Sequence, residues 1–490
     1  MRLNELLKGL SFKTKDDISE IDVKRVRDDS RAVEEGDLFI AVKGYSTEGS
    51  AYIGEAVKNG ARVIMAQRDH GSSGEIKRIL VDDTRKALSV LAANFYGNPS
   101  DRLKIVGITG TNGKTTITYI IESILKNAGS GAGVIGTVNY RLKDKVLPSK
   151  NTTPGALELQ SLLAEMAKGG LHYAIMEISS HSLDQGRVDS VRLDTGIFTN
   201  ISAEHLDYHK TIEEYFKAKA QIFGLLKDGA TAILNDDDDK VASLKNSITK
   251  ARVITYGIEN YADVCAQNIR SSIDGTRFDV VMPKNRFEIR TGLIGMHNVS
   301  NILAGIAAAV SLNIGISAIK GGVESVVSVP GRLETLDIGQ AFKIFVDYAH
   351  TEDALYNILT HLRKVAVRGI ITVFGCGGNR DRLKRPLMGK VACRLSDHVV
   401  ITSDNPRFEE PEAIIEEIEK GVIGKFDNYS VAIDRREAIK EALELAGEGD
   451  IVVIAGKGHE DYQIVKDKIF NFNDREIAKE ILLKNMAVRK

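Results

Sequence analysis

The chain has 490 residues, too many for one hydrophobic core, and at roughly 150 residues per domain it implies about three domains. Lys plus Arg number 66 against 67 Asp plus Glu, so no global charge excess points to nucleic acid or to an anionic membrane, and any anion must be gripped locally. A hydrophobic content of 43% with 27% charged residues excludes a disordered chain; the scattered Cys265, Cys376 and Cys393 exclude a disulfide framework and suit buried packing.

The opening MRLNELLKGLSFKTKDD has no uninterrupted apolar signal core, and no apolar run approaches the roughly 18 residues of a membrane span, so a cytoplasmic protein is expected. Short strand-like runs such as DLFIAVKG and a helix-like ALSVLAANFYG follow, ending at the breaker cluster Gly97, Asn98 and Pro99. From Leu103 come an apolar strand (LKIVGIT), a Gly-rich turn and a helix (TTITYIIESILKNAG). Strand candidates recur at HYAIMEI, LDTGIFT and ATAILN, alternating with helical stretches such as ALELQSLLAEMAKGG, which predicts a parallel sheet with helices on its faces. A second break lies near Val329, Pro330 and Gly331. Beyond it, FKIFVDY, GIITVFGC, HVVITS, YSVAI and DIVVIAG predict a Rossmann-like domain whose ligand loops lie at the strand C-terminal ends. The expected fold is α/β in three domains: an N-terminal α/β domain (1–99), a central P-loop domain built on a parallel sheet (100–331) and a C-terminal Rossmann-like domain (332–490).

GITGTNGKTT begins at Gly107, directly between a predicted strand and a predicted helix, as a P-loop requires. Gly110 and Gly113 let backbone N–H groups converge on phosphate oxygens, with Thr111, Asn112 and Thr116 in the same cradle. Lys114 adds a cation for the β/γ region, and Thr115 can ligate magnesium. A strict Walker A count needs glycine at position 108, where the chain has Ile108, so the motif is a variant. A Gly-rich turn with a solvated lysine is the rival reading, and a P-loop alone names no reaction. Glu177, ending HYAIMEI, can face the P-loop and share magnesium with Thr115, although a capping or ion-paired glutamate has the same pattern. By pattern alone His205 reads as a structural histidine, Lys219 as a solvent-facing lysine, and Asn298 and Asn301 as caps of an apolar helix.

Nine further motifs occur together: EISSHSLDQGRV from Glu177, TNISAEHLDYH from Thr199, EEYFKAKAQIF from Glu213, GMHNVSN from Gly295, PGRLE from Pro330, DYAHTEDAL from Asp347, GCGGNRDRLKRPLMG from Gly375, SDNPRFEEPE from Ser403 and AGKGHEDYQI from Ala455. In this order, across the second and third domains, they resemble the Mur ligase family. The resemblance implies an ATP-dependent carboxylate-amine ligase of peptidoglycan precursor synthesis, acting through an acyl phosphate. It implies ATP and magnesium, with Lys114, Glu177, His205 and Lys219 as catalytic groups and Lys219 carbamylated by carbon dioxide to become, with Thr115, Glu177 and His205, a metal ligand. Glu204 stands where the family usually has aspartate. Asn298, Asn301, Arg332, Asp347 and His350 are implied at the nucleotide, the third-domain residues reaching it by domain closure.

For the acceptor, a UDP-muramoyl dipeptide, the resemblance implies Ser30, Tyr45, Ser46 and Thr47 at the uridine diphosphate. Asn151, Thr152, Thr153, Ser179, Gln185 and Arg187 would hold the peptide part. The incoming amino acid is implied to be meso-diaminopimelate, read by Arg380, Asp404, Asn405, Pro406, Arg407, Gly456 and Glu460, because Arg407 can pair bidentately with a second carboxylate that lysine lacks. Alternatives are a lysine-adding enzyme of the same step, a folylpolyglutamate synthase-like ligase and, from another class, a non-catalytic nucleotide-binding partner. A monomer that binds no nucleic acid is expected.

Overall fold

The computed structural model describes residues 1–44, 48–69, 71 and 76–488; Tyr45, Ser46 and Thr47, expected at the uridine diphosphate, lie outside the described residues. Two compact units are present: Met1–Cys265 with Asn301–Gly322, and Ala266–Ser300 with Val323–Lys490.

The first unit opens with a parallel sheet in the order β1-β2-β3-β4: β1 (Val26–Arg27), β2 (Leu38–Ile40), β3 (Val63–Ala66) and β4 (Lys77–Leu80). Asp83 caps the helix Thr84–Phe95 by accepting from the backbone N–H groups of Arg85 and Lys86. That helix buries Leu88, Leu91 and Ala92 in one cluster with Leu38, Ile40, Val63, Met65 and Ile79.

A larger sheet follows, from β5 (Lys104–Thr109), β6 (Ala132–Ile135), β7 (Asn139–Leu142), β8 (Lys145–Pro148), β9 (Tyr173–Glu177), β10 (Leu193–Phe198), β11 (Leu226–Asn235) and β12 (Arg252–Gly257), in the order β12-β11-β10-β5-β9-β6-β7-β8. Pairing is parallel from β12 to β6, and β7 and β8 add an antiparallel ribbon at the edge. The parallel strands are buried on both faces and so read as near-continuous apolar runs rather than alternating ones. One face carries Ile105, Ala174 and Met176 against Leu159, Leu163 and Met166 of the helix Ala156–Lys168. Beside the helix Lys114–Asn127 lies Met296–Ser311, so close that a Cβ on Gly305 would stand 2.6 Å from Ile120. β5 sits at the switch point, since the chain runs from it to β6 on one side and reaches β10 on the other; in such sheets ligands bind beyond the strand C-terminal ends there.

The strand β13 (Val264–Ser272) pairs in parallel with β12 through Val264 and Cys265. In the second unit, β14 (Gly275–Met282) and β15 (Asn285–Thr291) form a hairpin. The main sheet there has β16 (Glu334–Leu336), β17 (Lys343–Asp347), β18 (Ile370–Phe374), β19 (His398–Thr402), β20 (Tyr429–Ala432) and β21 (Ile451–Ala455) in the order β16-β17-β21-β18-β19-β20, all parallel except β16. Successive residues point to opposite faces: Phe345, Val399 and Val453 enter one core, and Ile344, Val346, Val400, Val452 and Ile454 the other. A short ribbon, β22 (Tyr462–Val465) with β23 (Lys468–Asn471), follows. The helix expected near Pro411 spans Pro411–Glu419, with proline in the first turn where its missing N–H costs nothing. All three cysteines are buried and free, as expected. Among the described residues no helix is long and apolar enough to cross a membrane.

Candidate functional site

The P-loop turn joins β5 to the helix Lys114–Asn127, with Gly110 and Gly113 at φ 143° and 91°, a region that penalises any side chain. Space forbids one as well, because a Cβ on Gly110 would meet Thr199 Oγ1 at 1.8 Å and one on Gly113 would meet Asn301 Oδ1 at 2.2 Å. The turn is pinned from β10's end: Thr111 N donates to Asn200 O, Asn112 N to Asn200 Oδ1 (both 2.9 Å), and Thr199 Oγ1 to Asn112 O at 2.7 Å. Lys114 Nζ donates to the carbonyls of Gly110 and Thr111, each at 2.8 Å. Thr115 and Thr116 are buried in the first helical turn.

Glu177 ends β9, the strand beside β5, and is 1% exposed. Its carboxylate accepts from Thr115 Oγ1 at 3.0 and 3.1 Å, which sets two hard oxygen groups side by side at the start of the helix after the turn. Lys219 also is 1% exposed, against the ordinary expectation for a lysine on the polar helix Ile212–Ala220. Its Nζ donates to Gly110 O at 2.7 Å and stands 4.5 Å from the ring centroid of Tyr215. Burial, helped by the Lys114 charge and opposed by Glu204, holds its pKa well below the usual lysine value, so the amine approaches the neutral, nucleophilic form. His205 has φ 56°, a strained setting for a non-glycine residue, and keeps 45% of its side chain exposed beside His181. Partial burial, with His205 and His209 nearby, pushes His181 down to about 4. Among the described residues no three His, Cys, Asp or Glu side chains cluster to hold a metal. A hard cation here would draw on Thr115, Glu177, phosphate oxygens and water, the habit of magnesium.

Next to Glu177 lies a second group of expected residues. Thr153 Oγ1 donates to Glu177 O at 2.8 Å and accepts from Ser179 N at 3.0 Å. Arg187 donates to Thr153 O at 3.2 Å and to Gln185 Oε1, and Gln185 reaches Tyr208 OH at 3.3 Å. Thr152 is 3.1 Å from Thr137, and Asn151 O accepts from Tyr140 OH at 2.7 Å. Ser30 is buried beside β1, donating to Glu55 and accepting from Asn59 Nδ2 through its carbonyl at 2.9 Å.

In the second unit the expected residues gather on loops after parallel strands. Asp347 ends β17; its oxygens accept from Leu333 N and Ala349 N, both at 2.7 Å, while the Arg332 guanidinium lies 5.3 Å from the Tyr348 ring. His350 Nδ1 is 2.9 Å from Tyr348 O, and Asn298 Nδ2 donates to Ile294 O at 2.8 Å. After β19, Asp404, Asn405 and Pro406 are buried and Arg407 takes φ 53°, aiming Nη1 at Gly378 O, 2.9 Å away. After β21, Gly456 has φ 115°, and a Cβ there would stand 2.8 Å from Asp404 Oδ2. Glu460 accepts from Asn405 Nδ2 at 2.9 Å and from the buried Lys457 Nζ at 3.2 Å. Arg380 is exposed. The fully buried Arg435–Asp474 pair, 2.7 Å, donates to Ser403 O and Ala455 O and so ties the ends of β19 and β21 together.

Three family descriptions match successive segments: the Mur ligase family catalytic domain at 22–96, the Mur ligase middle domain at 108–309 and the Mur ligase glutamate ligase domain at 331–458. The chain belongs to the Mur ligase family. The UDP-N-acetylmuramoyl-L-alanyl-D-glutamate–2,6-diaminopimelate ligase of Clostridium tetani is 43% identical over 487 residues, covering 98% of this chain and 99% of that protein. A solved structure of a ligase of the same name is 33% identical with TM-score 0.71, covering 97% of each chain. The MurF ligase of Thermotoga maritima in complex with ADP shares the fold at 22% identity and TM-score 0.64, covering 96% of this chain and 99% of that one. The three-domain Mur ligase architecture, with its parallel-sheet centre and Rossmann-like C-terminal part, is therefore present as expected, and the family makes this an ATP-dependent ligase.

Within this Mur ligase, several residues escaped the sequence reading. Asn200 fixes the backbone of Thr111 and Asn112, Thr137 bonds Glu177, Tyr215 lies against Lys219, and Lys457 occupies Glu460. Lys457 and Tyr215 sit inside quoted motifs, where their position could have marked them. Thr137 has only the weak signal of a Gly-Thr step closing a strand.

Proposed function

We propose that this Mur ligase adds meso-2,6-diaminopimelate to UDP-N-acetylmuramoyl-L-alanyl-D-glutamate. The observation that carries the reading is the buried Lys219 amine on the Gly110 carbonyl of the turn that leads to the Thr115–Glu177 contact, in a chain 43% identical over almost its whole length to a ligase of that name. In the reaction, an oxygen of the D-glutamate side-chain carboxylate attacks the γ-phosphorus, ADP leaves, and an acyl phosphate results. The neutral amine of diaminopimelate then attacks the acyl carbon; the C–N bond forms, inorganic phosphate departs, and the amine proton is lost. Carboxylates are poor electrophiles, so activation is the essential step and the protein's share is alignment and charge neutralisation.

The P-loop N–H groups and Lys114 hold the triphosphate, with Thr111, Asn112, Asn298, Asn301, Arg332, Asp347 and His350 assigned to the same nucleotide. Thr115 and Glu177 would hold one magnesium ion, and His205 with carbamylated Lys219 a second; bound magnesium neutralises charge on phosphoryl oxygens. Carbamylation joins the neutral Lys219 nitrogen to carbon dioxide with loss of one proton, and the depressed pKa of the buried amine favours it. Ser30 serves the uridine diphosphate, and Asn151, Thr152, Thr153, Ser179, Gln185 and Arg187 the muramoyl dipeptide. Arg407 pairs with the distal carboxylate of diaminopimelate, and Glu460 receives its distal ammonium, with Arg380, Asp404, Asn405, Pro406 and Gly456 shaping the pocket. An arginine left unpaired by lysine supports discrimination on the order of 10⁴. The functional domains are assigned to 1–99, 100–331 and 332–490, in a cytoplasmic monomer.

The test is a coupled phosphate-release assay with ATP, magnesium and the muramoyl dipeptide nucleotide, comparing diaminopimelate with lysine. Release only with diaminopimelate, together with a new peptide bond, is the expected outcome. Equal rates with lysine would move the chain to the lysine-adding alternative, and no release with either would end the reading.

A further inference from the structure

Thr115 reaches Glu177 with a single hydroxyl. Two further hydrogen bonds to the Glu177 carboxylate come from Thr137: its backbone N–H donates to Oε1 and its hydroxyl to Oε2, each at 2.9 Å. Thr137 lies just past β6, 40 residues away in the chain. Gly136 makes the approach possible, because a Cβ there would stand 2.5 Å from Glu177 Oε1. Two donors from one residue, one on each oxygen, fix the rotation of the carboxylate as a single hydroxyl cannot.

The direction of these bonds reaches further. A carboxylate only accepts, so the one hydroxyl proton of Thr137 goes to Glu177. The 3.1 Å contact between Thr137 Oγ1 and Thr152 Oγ1 then needs Thr152 as its donor. With its proton directed inward, the half-buried Thr152 turns lone pairs toward its open side. Such a hydroxyl receives an N–H or O–H from a ligand and is a poor partner for a carboxylate oxygen.

We propose that Thr137 is a positioning residue that orients Glu177 toward the magnesium nucleotide and sets Thr152 as an acceptor for a peptide N–H of the muramoyl dipeptide. This rests on the ligase reading and extends it, because one side chain then joins the nucleotide and acceptor halves of the site.

Thr137→Val keeps the size and the N–H but deletes the hydroxyl, Thr137→Ser keeps the hydroxyl, and Thr152→Val removes the outer link alone. Groups that orient metal ligands typically cost 10- to 100-fold when replaced. Thr137→Val should therefore need about tenfold more magnesium for half-maximal ADP binding by calorimetry, lower kcat about 10- to 100-fold and raise KM for the muramoyl dipeptide nucleotide, leaving KM for diaminopimelate unchanged. Thr137→Ser should stay within about threefold of wild type, and Thr152→Val should raise KM for the dipeptide nucleotide without altering ADP binding. Wild-type magnesium dependence and kcat in Thr137→Val would overturn the proposal, as would a serine variant that fails as badly as valine, or an unaltered dipeptide KM in Thr152→Val. Should Thr137→Val not fold in a melting experiment, the other two variants still decide. The ADP arm needs no turnover, so a wild-type protein that binds magnesium ADP without making a peptide bond would defeat the ligase reading while Thr137 is judged separately.

Discussion

The phosphate turn of the first unit and the Asp404–Glu460 pocket of the second solve one problem, holding charged groups still, by different means. The turn does it with backbone: positive-φ glycines, carbonyls and N–H groups pinned by Asn200, with the Glu177 carboxylate on Thr115. The pocket does it with ion pairs: Arg435 and Asp474 join two helices, and Lys457 and Glu460 stand three residues apart on the loop after β21. One substitution destroys a backbone device by steric overlap. In an ion-pair device, loss of one partner leaves the other charge buried and uncompensated.

The comparison breaks most sharply at Lys219. On the proposed reading, Lys219→Ala would remove a carbamate oxygen ligand, and kcat should fall on the order of 10²–10³-fold, the scale of losing one electrostatic contact to developing charge. Added short carboxylates should restore part of it in the same phosphate-release assay; full activity without them would end the carbamate assignment. Next in size is Asp474→Ala, which strands a fully buried arginine and should cost about 3–5 kcal/mol in denaturant unfolding. If stability stays within about 1 kcal/mol, the pair is not what secures β19 and β21.

Arg407→Ala sharpens the contrast from the ligand side. A lost charge-assisted hydrogen bond should raise KM for diaminopimelate about tenfold to a hundredfold while leaving ATP affinity alone. Equal losses in both would contradict the pocket assignment. The smallest effect concerns pH. Burial, with the Arg332 charge nearby, pushes His459 down to about 4 from an ordinary value near 6.5, and its Nδ1 is buried with no hydrogen-bond partner among the described residues. The unfolded chain binds that proton more readily, so the stability this residue contributes is complete above about pH 6.5 and is lost as pH falls toward 4. Arg385 holds Glu409 down at about 2, so that carboxylate's contribution is lost at lower pH, between its ordinary value of 4.5 and 2. Melting curves from pH 7 to 4 should drop less for His459→Gln than for wild type.

How much of this was legible in the sequence depends on where each partner lies in the chain. The P-loop, the parallel strands and the placement of Glu177 at a strand end beside the turn all follow from short contiguous patterns, and the structure has them. The burial of Lys219 does not, because its helix has four charged residues within seven positions and reads as polar. Only the family likeness singled it out. Asn200 is 88 residues from Asn112 and Asp474 is 39 from Arg435, and hydrophobic periodicity carries no information about such pairings. The compact units also cut the chain elsewhere than its breaker clusters, through β13 and the helices Met296–Ser311 and Ile316–Glu324.

The Lys457 ammonium and the Asn405 amide both bond Oε2 of Glu460. On the proposed reading, a substrate ammonium would join Lys457 at that carboxylate rather than displace it, and two cations that share one anion are each held more loosely than either would be alone. Grip on the substrate would then have to come from shape and from the opposite end of the molecule.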